Sequence, residues 1–117
     1  MKLVLGMALA GAALMLGSGV AVAEPVAASR TPVTAWADVN IRECPATSCK
    51  VFGVIKAGET VDAFCWTHGE RIFDYGLVNE YWLMVSRQDG GRYLSSALYF
   101  KGDQRANLPL DNYCGRA

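Results

Sequence analysis

Alternating apolar and polar residues predict a β-strand where the folded part of the chain begins. Val39 and Ile41 alternate with Asn40 and Arg42. Because successive side chains of a strand point to opposite faces, this pattern places the apolar pair on one face and the polar pair on the other. Residues 39–42 therefore form the first predicted strand of the domain.

Further short strands are predicted along the rest of the chain, and glycine-containing turns separate most of them. They lie at 51–55, 60–66, 81–86 and 92–100, the last ending in a single helical turn at 95–98. Beyond the N-terminal segment, no apolar stripe at helical spacing persists for three turns. The pattern predicts an all-β fold, a small barrel of five or six short strands.

Two connections carry separate predictions. The turn at 56–59 joins two β-rich runs and predicts that they pair as a hairpin. Residues 67–80 are interpreted as a long loop with at most a short strand at 71–75, because this stretch contains three turn signals, His68-Gly69, Tyr75-Gly76 and Asn79-Glu80.

The N-terminus has the layout of a secretory signal peptide over residues 1–23. Lys2 supplies a positive charge, residues 3–16 are apolar, and an Ala-x-Ala pattern closes the segment at 21–23. An uncleaved membrane anchor is the alternative, because residues 3–23 are long enough to span a bilayer. Cleavage predicts a secreted or extracytoplasmic protein with no stable membrane insertion.

The remaining chain divides into a leader and one domain. Residues 24–35 are rich in small residues and proline and lack periodicity, which predicts a flexible leader. Residues 36–117 form the predicted barrel domain, with a C-terminal tail tethered by a disulfide.

The charge balance gives no reason to expect a polyanionic partner. The chain has 11 Lys and Arg against 11 Asp and Glu, and its formal net charge is zero. A neutral chain without a basic cluster has no electrostatic drive towards nucleic acid. We therefore expect no nucleic-acid partner.

Four cysteines predict a disulfide framework, since an even number is typical of small exported domains. Three pairings are formally open. The four residues between Cys44 and Cys49 suit a short closed turn, and this pairing leaves Cys65 to tether Cys114. We expect the bridges Cys44–Cys49 and Cys65–Cys114.

Candidate catalytic chemistry is sparse. His68 is the only histidine, and its turn setting favours a solvated side chain over a general base. A zinc site built from the cysteines and His68 is the alternative, but its ligand spacing and the expected oxidising compartment disfavour it. We predict no enzyme activity, no cofactor and no metal site.

Five features stand out between residues 36 and 101: the strand 39–42, the turn with Pro45, the run VFGVIKAG at 51–58, Trp82, and YLSSAL at 93–98. Together they resemble the bacterial SH3-like (SH3b) domain. The later part is similar to versions in exported actinobacterial proteins, where a cysteine after the third strand is matched by one at the end. That similarity supports Cys65–Cys114.

The resemblance also bears on ligand binding. Neighbours Tyr81 and Trp82 point to opposite faces of a strand, and the resemblance implies that Trp82 packs under the long loop. This nominates Tyr81, with Tyr93 or Tyr99, as an exposed aromatic able to stack on a glycan or peptide. The alternative is that all the aromatic side chains pack into a small core or cover it. The candidate ligand-binding residues are Tyr81, Tyr93, Tyr99, Asn40 and Arg42.

The sequence supports two functional hypotheses. In the first, the resemblance implies a non-enzymatic module that binds peptidoglycan, through its peptide or glycan, or another envelope component in a shallow groove beside residues 67–80. In the second, the chain is a secreted inhibitor or effector that presents the disulfide-closed loop 44–49 to an envelope or target protein, because a constrained loop loses little entropy on binding.

Overall fold

The computed structural model describes residues 30–86 and 91–115. The predicted signal peptide at 1–23 and the first half of the predicted leader, 24–29, lie outside these residues. Within the described part, no helix is long and apolar enough to cross a membrane.

The described residues form a curled antiparallel sheet, a half-barrel of six strands, which confirms the all-β prediction. The spatial order is β1-β4-β5-β6-β2-β3. The strands are β1 (Thr31–Thr34), β2 (Val39–Arg42), β3 (Val51–Ile55), β4 (Thr60–Asp74), β5 (Leu77–Ser86) and β6 (Arg92–Ser96). A 3₁₀ turn, Ala97–Tyr99, follows β6.

Strand β1 corrects the predicted boundary between leader and domain. Thr31–Thr34, assigned by sequence to the flexible leader, pairs with β4 from Thr34 opposite Thr60 to Thr31 opposite Ala63. Val33 of this strand is buried in the core. A single apolar residue beside a proline carries too little pattern to predict a strand, and tertiary pairing supplies the rest.

The predicted long loop at 67–80 is wrong, because these residues form the outer half of a β-hairpin. Strands β4 and β5 pair up to Asp74 opposite Leu77, which leaves Tyr75 and Gly76 as a two-residue turn. Both turn residues have positive φ, 52° and 75°. This is the backbone of a type I′ turn, the connection that matches the twist of paired strands.

The predicted hairpin across residues 56–59 is also wrong. Strand β3 pairs with β2, whereas β4 pairs with β1 and β5, so the turn carries the chain from one end of the sheet order towards the other. The carbonyl of Ala35 accepts a hydrogen bond from the Gly58 N–H, and the Ala35 N–H donates to the carbonyl of Glu59. These bonds attach the turn to the end of β1 and not to a partner strand.

The buried apolar side chains form two clusters. The larger fills the half-barrel and includes Ile41, Ile55, Leu83 and Phe100. The smaller consists of Ile72, Trp82, Leu94 and Leu98, with Trp36 and Tyr99 packed against it. The smaller cluster underlies the candidate site.

Both predicted disulfides are present, Cys44–Cys49 and Cys65–Cys114. The second ties the C-terminal segment to β4, where the Trp66 N–H donates to the carbonyl of Asn112 and the Cys114 N–H donates to the carbonyl of Trp66. Two bridges in so small a domain indicate folding in an oxidising, extracytoplasmic environment. They also use all four cysteines, which removes the thiolates that the zinc alternative requires.

Candidate functional site

A groove of about 440 Å³ lies where the β2–β3 hairpin, the tip of the β4–β5 hairpin and the 3₁₀ turn approach one another. Its wall residues carry charges of both signs, and its floor is apolar. The side chains that determine its chemistry are those of Asp38, Asn40, Arg42, Thr47, Val54, Lys56, Ile72, Asp74, Tyr75, Trp82 and Tyr99.

The floor is built on Trp82, which is only 1% exposed. Its indole N–H donates to the carbonyl of Glu70 at 2.9 Å, so the buried ring leaves no unsatisfied donor. Gly69 lies against the same ring. A Cβ at this position would stand 2.5 Å from the Pro45 Cβ and 2.7 Å from the Trp82 Cδ1, which explains the need for glycine.

The disulfide loop forms one wall and is held by two charged side chains. The Arg42 guanidinium donates from one nitrogen to the carbonyls of Thr47 at 2.9 Å and Cys49 at 3.1 Å. The Glu70 carboxylate accepts from the Thr47 N–H at 2.6 Å and from its hydroxyl at 2.8 Å. These two bonds from Thr47 hold the pKa of Glu70 below its ordinary value.

A second charged pair lies on the wall formed by the residues that flank β2 and β3. The Asp38 carboxylate accepts from the Ala57 N–H at 2.9 Å and lies 3.6 Å from the Lys56 ammonium. The backbone bond, assisted by Lys56, lowers the pKa of Asp38. Both side chains remain largely exposed, so this pair contributes little to stability and is open to exchange with a charged ligand.

An aromatic corner formed by Trp36, Tyr75 and Tyr99 closes one part of the site. The Trp36 and Tyr75 rings meet edge to face with centroids 4.9 Å apart, and Tyr99 lies 6.3 Å from each. The Tyr99 hydroxyl donates to the Asp74 carboxylate at 2.7 Å. Burial, with this hydrogen bond and the charge of Asp74 as lesser causes, raises the pKa of Tyr99 to about 12, so the hydroxyl stays a donor at neutral pH.

The groove brings together three of the five ligand-binding residues predicted from sequence. Asn40, Arg42 and Tyr99 line it, whereas Tyr81 and Tyr93 lie elsewhere. Tyr81 packs against Trp66 at 5.3 Å between centroids and is half-buried against the larger core cluster. Tyr93 lies against the Phe52 ring at 4.6 Å.

Sequence reasoning missed Asp74 and Tyr75 as site residues. Their signal is the Tyr75-Gly76 pair, which indicates a turn but does not by itself distinguish a hairpin tip from part of a loop. Only the long pairing of β4 with β5 carries this turn to the edge of the groove.

His68 lies outside the groove. Its ring contacts Tyr81 at 4.9 Å and Trp66 at 5.6 Å, and the side chain is exposed at the strand surface. In residues 30–86 and 91–115, no three His, Cys, Asp or Glu side chains converge in a way that could hold a metal ion.

Comparisons with known proteins return no match: no family model, no curated protein and no solved structure is similar to this chain.

Proposed function

We propose that this chain is an exported, non-enzymatic SH3-like binding module that engages the peptide component of the cell wall through the groove. The observation that carries the proposal is the groove itself, an apolar floor enclosed by walls that bear Asp38, Arg42, Lys56 and Asp74. Concave sites with an apolar base and a few convergent polar groups are the usual form of ligand sites.

The geometry favours a peptide over a glycan. The tyrosines of the aromatic corner offer ring faces to a sugar, but Trp82 is buried in the floor, and the four charged side chains of the walls are groups that a neutral sugar does not engage. Side chains of both charges instead suit a ligand with carboxylate and amino groups, as wall peptides have. Binding of a neutral glycan chain by the purified domain would contradict this assignment.

The proposed compartment rests on two features. The sequence layout of residues 1–23 predicts export, and the disulfides indicate an oxidising environment. A binding role in place of catalysis is supported by the position of His68, which packs against Trp66 and Tyr81 away from the groove.

Two valines of β3 provide a matched test. Val51 and Val54 have similar exposure, 43% and 45%, but only Val54 lines the groove. Arginine at either position adds the same volume and charge to an edge strand. We expect Val54→Arg to abolish retention on purified peptidoglycan sacculi and Val51→Arg to leave it unchanged.

The outcomes of this test are distinct. Retention of the wild type together with loss in Val54→Arg alone supports the groove as the binding site. Equal retention of both variants places binding elsewhere, and failure of the wild type to be retained overturns the wall as the ligand.

The disulfide-closed loop 44–49 supports a second candidate, a protein-interaction factor. Arg42 and Glu70 hydrogen-bond to the loop, which holds it in one conformation as that hypothesis requires. Its tip residues Thr47 and Ser48 are exposed. Ser48→Arg alters the tip without lining the groove. Loss of a protein partner in this variant, with wall retention unchanged, would favour the second candidate.

A further inference from the structure

The chain covers several of its own aromatic rings with its own cations. Within residues 30–86 and 91–115, the guanidinium of Arg92 lies 3.9 Å from the Phe64 centroid, Arg71 lies 5.5 Å from Phe73, and Lys50 lies 5.3 Å from Phe52. Arg105 lies over both Trp66 and Tyr81. Such contacts are favourable because the face of an aromatic ring carries negative potential.

The aromatic corner of the groove differs from these rings. No Lys or Arg of the described residues lies over Trp36, Tyr75 or Tyr99. The two cations of the groove are engaged elsewhere, Lys56 with Asp38 at 3.6 Å and Arg42 with the carbonyls of the disulfide loop.

The same corner contains a carboxylate. Asp74 accepts a hydrogen bond from the Tyr99 hydroxyl through Oδ2 and from the Tyr75 N–H through Oδ1. Asp74 is exposed and lines the groove beside both tyrosines. A carboxylate adjacent to two aromatic rings is the combination that binds an organic cation, since the charge and the ring faces attract the same group.

We propose that Asp74, Tyr75 and Tyr99 form a subsite for a primary alkylammonium group, such as the side-chain amine of a diamino acid. The inference rests on the proposed peptide-binding role of the groove and specifies which end of the ligand this corner takes. The Trp36 ring contacts the Tyr75 ring edge to face, and its indole N–H donates to the carbonyl of Leu98 at 3.0 Å, which fixes the ring.

The test uses n-butylammonium as the probe and 1-butanol as its neutral counterpart. Both are titrated into the disulfide-bonded domain while the ring signals of Tyr75 and Tyr99 and the indole N–H of Trp36 are monitored by NMR. We expect saturable shifts with butylammonium and none with butanol. Equal shifts with both probes, or no shift with either, would overturn the proposal.

Two substitutions separate the carboxylate from the ring. Asp74→Asn keeps the shape and an oxygen that accepts from Tyr99, and we expect it to raise the dissociation constant at least about fivefold. Tyr75→Asn removes the ring at a positive-φ position that asparagine tolerates, and we expect a rise of about threefold. Tyr75→Phe keeps the ring face and should therefore raise the dissociation constant less than Tyr75→Asn does.

Matched controls lie outside the groove. Phe73→Asn removes an exposed ring of the same hairpin, and Asp111→Asn removes an exposed carboxylate of the C-terminal segment. Both should bind butylammonium normally. A loss in these controls equal to that in the corner variants would show nonspecific attraction and contradict the subsite.

The probe test and the sacculus test fail independently. Butylammonium binding without retention on sacculi would leave the cation subsite standing and remove the wall ligand. Retention on sacculi without butylammonium binding would leave the wall ligand standing and overturn the cation subsite.

Discussion

The β4–β5 hairpin contributes to two aromatic assemblies that differ in what surrounds the rings. Near the C-terminal tail, Trp66, His68 and Tyr81 pack against one another, and Tyr113 joins them at 4.8 Å from Trp66. Arg105 lies over this assembly, which we call the tail cluster. In the other assembly, which is the aromatic corner, Tyr75 and Tyr99 face an open groove.

The comparison shows that aromatic content does not by itself locate a binding site. In the tail cluster, the chain supplies the cation and the neighbouring rings, so the aromatic surface is used for stability. In the aromatic corner, ring faces and a carboxylate remain available to a ligand. We therefore expect substitutions in the tail cluster to lower stability and those in the corner to lower binding.

The largest effect is expected from removing the bridge that holds the tail cluster. Cys65–Cys114 spans 49 residues, and the double change Cys65→Ala with Cys114→Ala should cost about 4 kcal/mol of unfolding free energy on the chain-entropy model. The shorter bridge spans 5 residues, and its removal should cost about 2 kcal/mol. Urea unfolding measures both, and a reversed order would contradict the assignment of stability to the tail.

Tyr81→Ala is the next largest. Loss of a half-buried ring packed on Trp66 should lower the unfolding free energy by about 2 kcal/mol, while the folded variant binds butylammonium like the wild type. Tyr75→Asn should instead weaken butylammonium binding. It should change the unfolding free energy by no more than about 0.5 kcal/mol, because the ring is exposed. If Tyr81→Ala abolished binding in a folded variant, the comparison between the two assemblies would fail.

Arg105→Gln tests the internal cation. Removing the guanidinium from the rings of Trp66 and Tyr81 should lower the unfolding free energy by about 1 kcal/mol, since the side chain is partly buried there. The matched change Arg71→Gln, over the exposed Phe73 ring, should cost about half as much or less. Equal costs in thermal unfolding would show that burial does not strengthen the contact.

The smallest effect concerns pH and the groove wall. The pKa of Glu70 is lowered in the folded state by its bonds from Thr47, so the folded protein binds this proton less readily than the unfolded chain. The stabilisation is complete above the ordinary value of 4.5 and is lost as pH falls through the lower, folded value. Asp38, whose pKa is also lowered, acts in the same direction.

We therefore expect the melting temperature to fall in acid and Glu70→Gln to flatten part of this decline. Glu80→Gln, at an exposed position of β5, serves as the control. An unchanged acid profile in Glu70→Gln would show that the loop is held without the carboxylate.

Local pattern predicted the strands best where each has one buried and one open face. Val39 and Ile41 are buried and Asn40 is exposed, as alternation requires. The bridges could be predicted from spacing and compartment. In contrast, the register of β4 shifts between His68 and Ile72, and this irregularity interrupts the alternation that would mark one long strand.

The site is harder to predict because its parts are distant in sequence. Arg42, Asp74 and Tyr99 meet only through the order of the sheet, which local pattern does not determine. Tyr81 illustrates a related limit. Its surroundings come from Trp66 and Arg105, and the second of these lies in a segment without strand pattern.

The Cys65–Cys114 bridge also determines how the domain would carry tension. A pull on Cys114 passes through the bridge directly to β4, so residues 66–113 bear no load. The opposing pull enters at Thr31, which pairs with Ala63, close to the bridge. Force applied at these adjacent points peels β1 from β4 one hydrogen bond at a time. The domain would therefore yield first at β1, while the hairpin that bears Asp74 and Tyr75 stays mechanically shielded.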